Sequence, residues 1–223
     1  LREVRVVVLD IDDTLYLERD YARSGFQAVE VGAELPGFAD AAWQLFLDGV
    51  RGDTFDRVLA SHEPGAEPGR VAELVRIYRE HAPSIGLAPD AVDFLAAAAA
   101  AGLRFAAVTD GPVASQRAKA QALGLPGLCE HIVVTGELGP EFGKPHPRAF
   151  EEVRERTGLP HRAHLYLADN PAKDFGGPQS LGWATVRVRR AGSLHEDVAT
   201  PDEVDLEVID LSGLAARLGP TAP

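Results

Sequence analysis

The chain has 223 residues, 45% apolar and 25% charged, enough for one sizeable core or for a core with a small second domain. Its net charge of −12 argues against a broad electrostatic footprint for nucleic acid and against docking on anionic membranes. A single cysteine, Cys129, excludes an internal disulfide and a cysteine-based metal cluster, and is expected to be an inert, partly buried thiol.

No apolar run is long enough to span a membrane, and the first residues lead directly into a strand-like segment, so no signal peptide is expected. These features predict a soluble cytoplasmic protein; a monomer or homodimer with a small-molecule partner is the expectation carried alongside them. The absence of methionine, even at position 1, is expected of a chain whose native start is missing or was processed.

The first strand is predicted over about Val4 to Asp10, where Val6-Val7-Val8-Leu9 reads as buried on both faces. Three carboxylates, Asp10, Asp12 and Asp13, follow at once. Close like charges repel unless something neutralises them, and a divalent cation such as Mg²⁺ does so with oxygen ligands. Asp10, Asp12 and Thr14 alternate, so on an extended backbone they share a side. The competing reading is a solvated acidic turn with an Asp capping a helix.

From Tyr16 to His81 the pattern turns to four amphipathic helices, broken at Leu35-Pro36-Gly37, at 49–52 and across 63–69. This block reads as a small helical bundle, residues 17–85, inserted into a domain made of 1–16 and 86–223. Strands and helices alternate afterwards. A helix runs from Pro89 through the alanine stretch to a stop at Gly102, then come a strand over Leu103 to Val108 and a helix over Val113 to Leu123. Strands follow at Ile132 to Val134, Ala163 to Ala168, Ala184 to Val188 and Glu207 to Ile209, with a helix from Pro147 to Arg156 and a short one ending at Leu181-Gly182. A last helix is expected over Leu211 to Leu218, then a frayed tail over Gly219 to Pro223. The fold class is α/β: a doubly wound, Rossmann-like parallel sheet with an inserted helical bundle.

Two further strand ends and one constrained turn carry polar groups. Thr109-Asp110-Gly111 offers a hydroxyl and the amides that open a helix, a cradle for phosphate or an ordinary turn. Lys144, between Gly143 and Pro145, is aimed by a stiff backbone and could neutralise phosphate or a carboxylate, or be a surface lysine. Asp169 follows its strand as Asp10 does, with Asp174 five residues on across an Asn170-Pro171 turn, where an N-cap is the competing role.

Asp-x-Asp-x-Thr, Thr-Asp-Gly, Lys-Pro and Asp-x₄-Asp, in this order after apolar strands, resemble the four motifs of the haloacid dehalogenase-like (HAD) hydrolase superfamily over nearly the whole chain. The helical insertion resembles the C1-type cap of subfamily IA. Asp-Asp-Thr-Leu-Tyr and Ala-Asp-Asn-Pro-Ala-Lys-Asp-Phe further resemble the branch of pyrimidine-nucleotidase-like phosphatases. The resemblance implies a Mg²⁺-dependent phosphatase acting on a small phosphomonoester, such as a sugar phosphate, a nucleoside monophosphate or a biosynthetic intermediate. It implies Asp10 as nucleophile and Asp12 as general acid and then base. It implies Mg²⁺ on Asp10, the Asp12 backbone carbonyl and Asp169, with Asp174 supporting from further out or through water. Thr109 and the Asp110-Gly111 amides would bind phosphate, Lys144 would pair with Asp10 and the phosphoryl group, and Thr14 would fix the turn. Asp13 is expected to be structural. Ala168 stands where the family usually has Gly. Asp12 is the informative match, since dehalogenating members lack an acid there. Alternatives are a phosphomutase, passing the phosphoryl group to another hydroxyl, and a non-catalytic binding module on the same scaffold. Arg19, Tyr21 and Arg23 are the leading candidates for substrate specificity, ahead of Trp43, Arg51 and Phe55. Arg187, Arg189, Arg190 and His195 read mainly as a solvated face, and His62, His81 and His161 as surface histidines.

Overall fold

The computed structural model describes residues 1 and 3–218 and divides them into two compact units, 1–18 with 86–218, and 19–85. The frayed tail expected over 219–223 lies outside the described residues. In chain order the elements are β1 (Val6–Leu9), α1 (Glu18–Gly32), α2 (Phe38–Leu47), α3 (Thr54–His62), α4 (Arg70–Glu80), α5 (Pro89–Ala100), β2 (Arg104–Thr109) and α6 (Val113–Ala122), followed by β3 (His131–Val134), α7 (Arg148–Thr157), β4 (His164–Ala168), α8 (Gly176–Ser180), β5 (Ala184–Val188) and β6 (Leu206–Val208).

The six strands form one parallel sheet in the order β3-β2-β1-β4-β5-β6. β1 is central, with Val6 against Arg104 on one side and His164 on the other. All four of its residues are buried, which is why an unbroken apolar run rather than an alternating one encodes it. Side-chain alternation sorts the sheet into two faces. Val6, Val8, Ala106, Val108, Tyr166 and Ala168 pack with Phe150 and Val153 of α7 and with Trp183. α5 starts with Pro89 in its first turn and stops at Gly102, which adopts φ +81°.

The helical unit closes over its own core of Phe26, Val29, Leu35, Phe38, Val58, Leu59 and Leu74. Phe26, Phe55 and Tyr78 meet with ring centroids 5.4–6.1 Å apart. Arg70 ties three of its segments by donating to Glu63, Glu73 and the Ala33 carbonyl. One expected element differs. The helix predicted over Leu211 to Leu218 is a single 3₁₀ turn, Leu214–Arg217, because Gly213 takes a left-handed φ of +70° immediately before it and Leu218 is extended after it. Four residues are too few to sustain an α-helix.

Candidate active site

Parallel strands present their carboxyl ends on one edge, and the strand order places β2, β1 and β4 side by side there. Asp10 follows β1, Thr109 ends β2 and Asp169 follows β4. Lys144 arrives from the loop between β3 and α7. Its Nζ lies 2.7 Å from Asp10 Oδ1, 2.6 Å from Asp174 Oδ1 and 3.1 Å from Tyr166 Oη. Burial alone would lower the Lys144 pKa, but the Asp10 and Asp174 carboxylates hold it well above the ordinary lysine value.

Asp10, Asp169 and Asp174 are buried, and one oxygen of each lies within 4.8 Å of the others. Asp174, expected further out, thus stands in the same cluster as the other two. Its Oδ2 accepts the Asn170 amide at 2.8 Å. Asp169 Oδ2 is buried without a hydrogen-bond partner. Burial, with the neighbouring carboxylates, pushes Asp10 up to about 6 despite Lys144. Burial and then the charges of Asp10 and Asp174 push Asp169 up to about 9. A partnerless buried oxygen among like charges is what a hard divalent cation satisfies, so the donor set fits one.

Asp12 is held apart from this cluster. Tyr16 Oη donates to its Oδ1 at 2.5 Å, Lys119 Nζ lies 2.7 and 2.8 Å from its two oxygens, and Gln116 Nε2 donates to Oδ2 at 3.0 Å. Burial opposes ionisation of Asp12, but the Lys119 charge and these hydrogen bonds hold its carboxyl below the ordinary value. Thr14 Oγ1 donates to Asp10 Oδ2 at 3.2 Å, and the Thr14 carbonyl accepts from Arg190. Asp13 has φ +52° and accepts the amides of Glu18 and Leu194, so its carboxylate fastens the turn.

Thr109 Oγ1 is buried and donates to Gln116 Oε1 at 2.8 Å. Gly111 has φ +143°, a conformation that side-chain-bearing residues rarely adopt. The Asp110 carboxylate joins the loops, accepting Thr135 Oγ1 at 2.5 Å, the Lys144 amide at 3.3 Å and Lys173 Nζ at 3.3 Å. The candidate specificity residues belong to the helical unit. Tyr21 is buried in its core, edge-on to Tyr78 with its hydroxyl 3.3 Å from the Tyr78 carbonyl. Arg23 lies over the Trp43 ring at 5.3 Å, and Arg19 keeps a buried Nε without a hydrogen bond.

Two arginines correct the expectation of a solvated face. Arg187 is fully buried, because β5 lies between β4 and β6, and donates to the carbonyls of Asp169, Val198 and His195 and to Thr200. Arg190 is buried between Asp90 and the Thr14 carbonyl. The guanidiniums fasten the loop after β5 to the ends of β1 and β4. Sequence reasoning also missed Gln116, Lys119 and Tyr166. The available signal was in α6, VASQRAKAQA, which has no acidic residue to accompany its lysine.

The chain is 28% identical over 92% of its length to a glyceraldehyde 3-phosphate phosphatase of Methanopyrus kandleri, covering 93% of that protein. It is 32% identical over 80% of its length to a phosphoserine phosphatase of Thermus thermophilus, covering 70% of it. Its fold matches the crystal structure of a predicted phosphoglycolate phosphatase from Haemophilus somnus with a TM-score of 0.71 and 20% identity, over 97% of this chain and 99% of that one. Residues 4–182 match the family model of the haloacid dehalogenase-like hydrolases, and the chain belongs to that family.

Proposed function

We propose that this hydrolase is a phosphatase that releases phosphate from a small phosphomonoester through a phosphoryl group carried on Asp10. The observation that carries the reading is the division of labour at the end of β1: Asp10 shares a buried cluster with Asp169, Asp174 and Lys144, while Asp12 is held separately by Tyr16, Lys119 and Gln116. Relatives over most of the chain are named as phosphatases of glyceraldehyde 3-phosphate and of phosphoserine. Both compounds are short phosphomonoesters of a primary alcohol, and that is the substrate class favoured here.

In this reading an Asp10 carboxylate oxygen attacks phosphorus and the alcohol oxygen leaves with a proton from Asp12. Water then attacks the acyl-phosphate, giving its proton to Asp12. Lys144 stabilises the charge that develops on the phosphoryl oxygens. The Asp110-Gly111 amides, beside the Thr109 hydroxyl that donates to Gln116, receive a phosphate oxygen. Asp10, Asp169, Asp174 and the Asp12 carbonyl would hold Mg²⁺, which when bound supplies charge neutralisation for an anionic nucleophile and an anionic substrate. These groups address only the phosphoryl group, so choice of alcohol is assigned to the helical unit, with Arg19 and Arg23 as its candidates.

The test is a phosphate-release screen over a panel of phosphomonoesters with Mg²⁺, scored for free phosphate against isomerised ester. Free phosphate from short primary esters is expected, together with loss of at least ~10³-fold in kcat for D10N and abolition by a chelator. Full activity of D10N overturns the covalent route, and undiminished turnover after chelation overturns the metal.

A further inference from the structure

Asp12 receives four contacts on its two oxygens, and two of the three donors come from one helix. Gln116 and Lys119 stand three residues apart on α6 and therefore on one face of one turn. Both are buried, and both reach Asp12, 2.7–3.0 Å away. The orientation of the Gln116 amide is set from the other side. Its Oε1 accepts the Thr109 hydroxyl, so its NH₂ faces Asp12. Burying an ammonium against a carboxylate is a poor route to stability, since well-packed apolar residues of the same volume do as well. What such a pair does supply is direction: a bidentate contact fixes the torsion of a short side chain that would otherwise turn freely.

We propose that Lys119, assisted by Gln116, is a positioning residue that fixes the Asp12 carboxyl for both proton transfers. The inference rests on the reading of Asp12 as acid and base. In the first half-reaction the alcohol's P–O bond breaks as the Asp10 O–P bond forms, and the Asp12 proton moves to the departing oxygen. In the second, water's oxygen bonds phosphorus, the Asp10 O–P bond breaks, and water's proton returns to Asp12. In this scheme Lys119 acts through Asp12, which it contacts on both oxygens, and not on phosphorus or on the oxygens in transit. A mispositioned Asp12 slows the first half only when the leaving oxygen needs a proton, and slows the second half always.

K119M is therefore compared with wild type by rapid mixing on two substrates, 4-nitrophenyl phosphate and the best alkyl ester of the panel. With the aryl ester, whose leaving group needs no acid, the first turnover is expected to change by less than about threefold. Steady turnover falls about 100-fold, within the usual worth of general acid–base catalysis, so nitrophenol appears in a burst approaching one equivalent. With the alkyl ester the first turnover itself falls about 100-fold. Partial unfolding lowers the burst amplitude and leaves its rate constant unchanged. K119R, keeping the charge, is expected to recover most of the loss, and Q116L, keeping the ion pair, to show the same pattern about tenfold weaker. Equal slowing of both substrates in the first turnover, or a selective loss on adding K119M to D12N, overturns the proposal. D12N separates it from the parent reading. If D12N slows aryl and alkyl first turnovers alike, Asp12 is not the acid. If D12N discriminates and K119M does not, only the role of Lys119 falls.

Discussion

Asp10 and Asp169 hold protons in the folded chain, near pKa 6 and 9, that the unfolded chain releases near the ordinary carboxylate value. Their contribution to stability is complete below about pH 4 and is lost as pH rises through about 6 and then about 9. A cation on the same oxygens takes the place of those protons. The rise in melting temperature on adding Mg²⁺ to chelator-treated protein should therefore grow between pH 5 and pH 9. A rise that is constant across that range contradicts a metal site built on these two carboxylates. Arg187 makes a second residue-scale prediction. R187M leaves the carbonyls of Asp169 and Val198 without their guanidinium donor beside a buried apolar side chain, and should cost about 3 kcal/mol in denaturant unfolding. A loss below about 0.5 kcal/mol would return Arg187 to the solvated role the sequence suggested. That role was the natural reading of a basic residue among Arg189 and Arg190 near the chain's end. What overrides it is β6, three residues long and only partly buried, which makes β5 an interior strand.

Turns decide the site at the next scale. Gly136, just past β3, lies so close to the start of α6 that a Cβ would stand 2.8 Å from the Gly111 carbonyl oxygen. G136A must displace either the 110–111 turn or the turn after β3. Phosphate release should fall about 10- to 100-fold, the scale of a misplacement of order 1 Å, while G127A, where a Cβ meets nothing within 4 Å, should be neutral. Unchanged kinetics in G136A would show that the close approach of Gly136 to the 110–111 turn does not matter to the reaction. The elements best legible in the sequence are those whose residues need no partner to explain them. β1, β2 and β4 are apolar because both their faces are covered, and α5 carries its own proline start and glycine stop. The Asp10, Thr109, Lys144 and Asp169 set was legible because each lies at a strand end or in a constrained turn. Lys119 was not, because a lysine in the middle of an alanine-rich helix looks solvated until β1 is laid beside it. The C-terminal turn failed for a local reason, since Gly213 outweighs the helical pattern of Leu214-Ala215-Ala216-Arg217.

For the molecule as a whole, a charge of −12 surrounds a site proposed to receive a dianion. The local cations Lys119, Lys144 and Lys173 are already engaged with Asp12, Asp10, Asp174 and Asp110. Approach therefore runs against the field, and screening should help it. Raising ionic strength from about 0.02 to 0.2 M, which shortens the Debye length to below about 10 Å, should raise kcat/KM a few-fold with kcat unchanged. A fall would mean that the local lysines dominate at distance. The central place of β1 in the sheet bears also on how the chain is made. Its neighbours begin at Arg104 and His164, so on a ribosome adding about 5–20 residues per second β1 is exposed for several seconds before either exists. The helical unit, whose core is built from residues within 19–85, can form in that interval. Val6 to Leu9 cannot, and a bare β-branched run is prone to pair with other chains. The acids that follow it, Asp10, Asp12 and Asp13, place three negative charges against that run and act as gatekeepers against aggregation during synthesis, before the folded site encloses them.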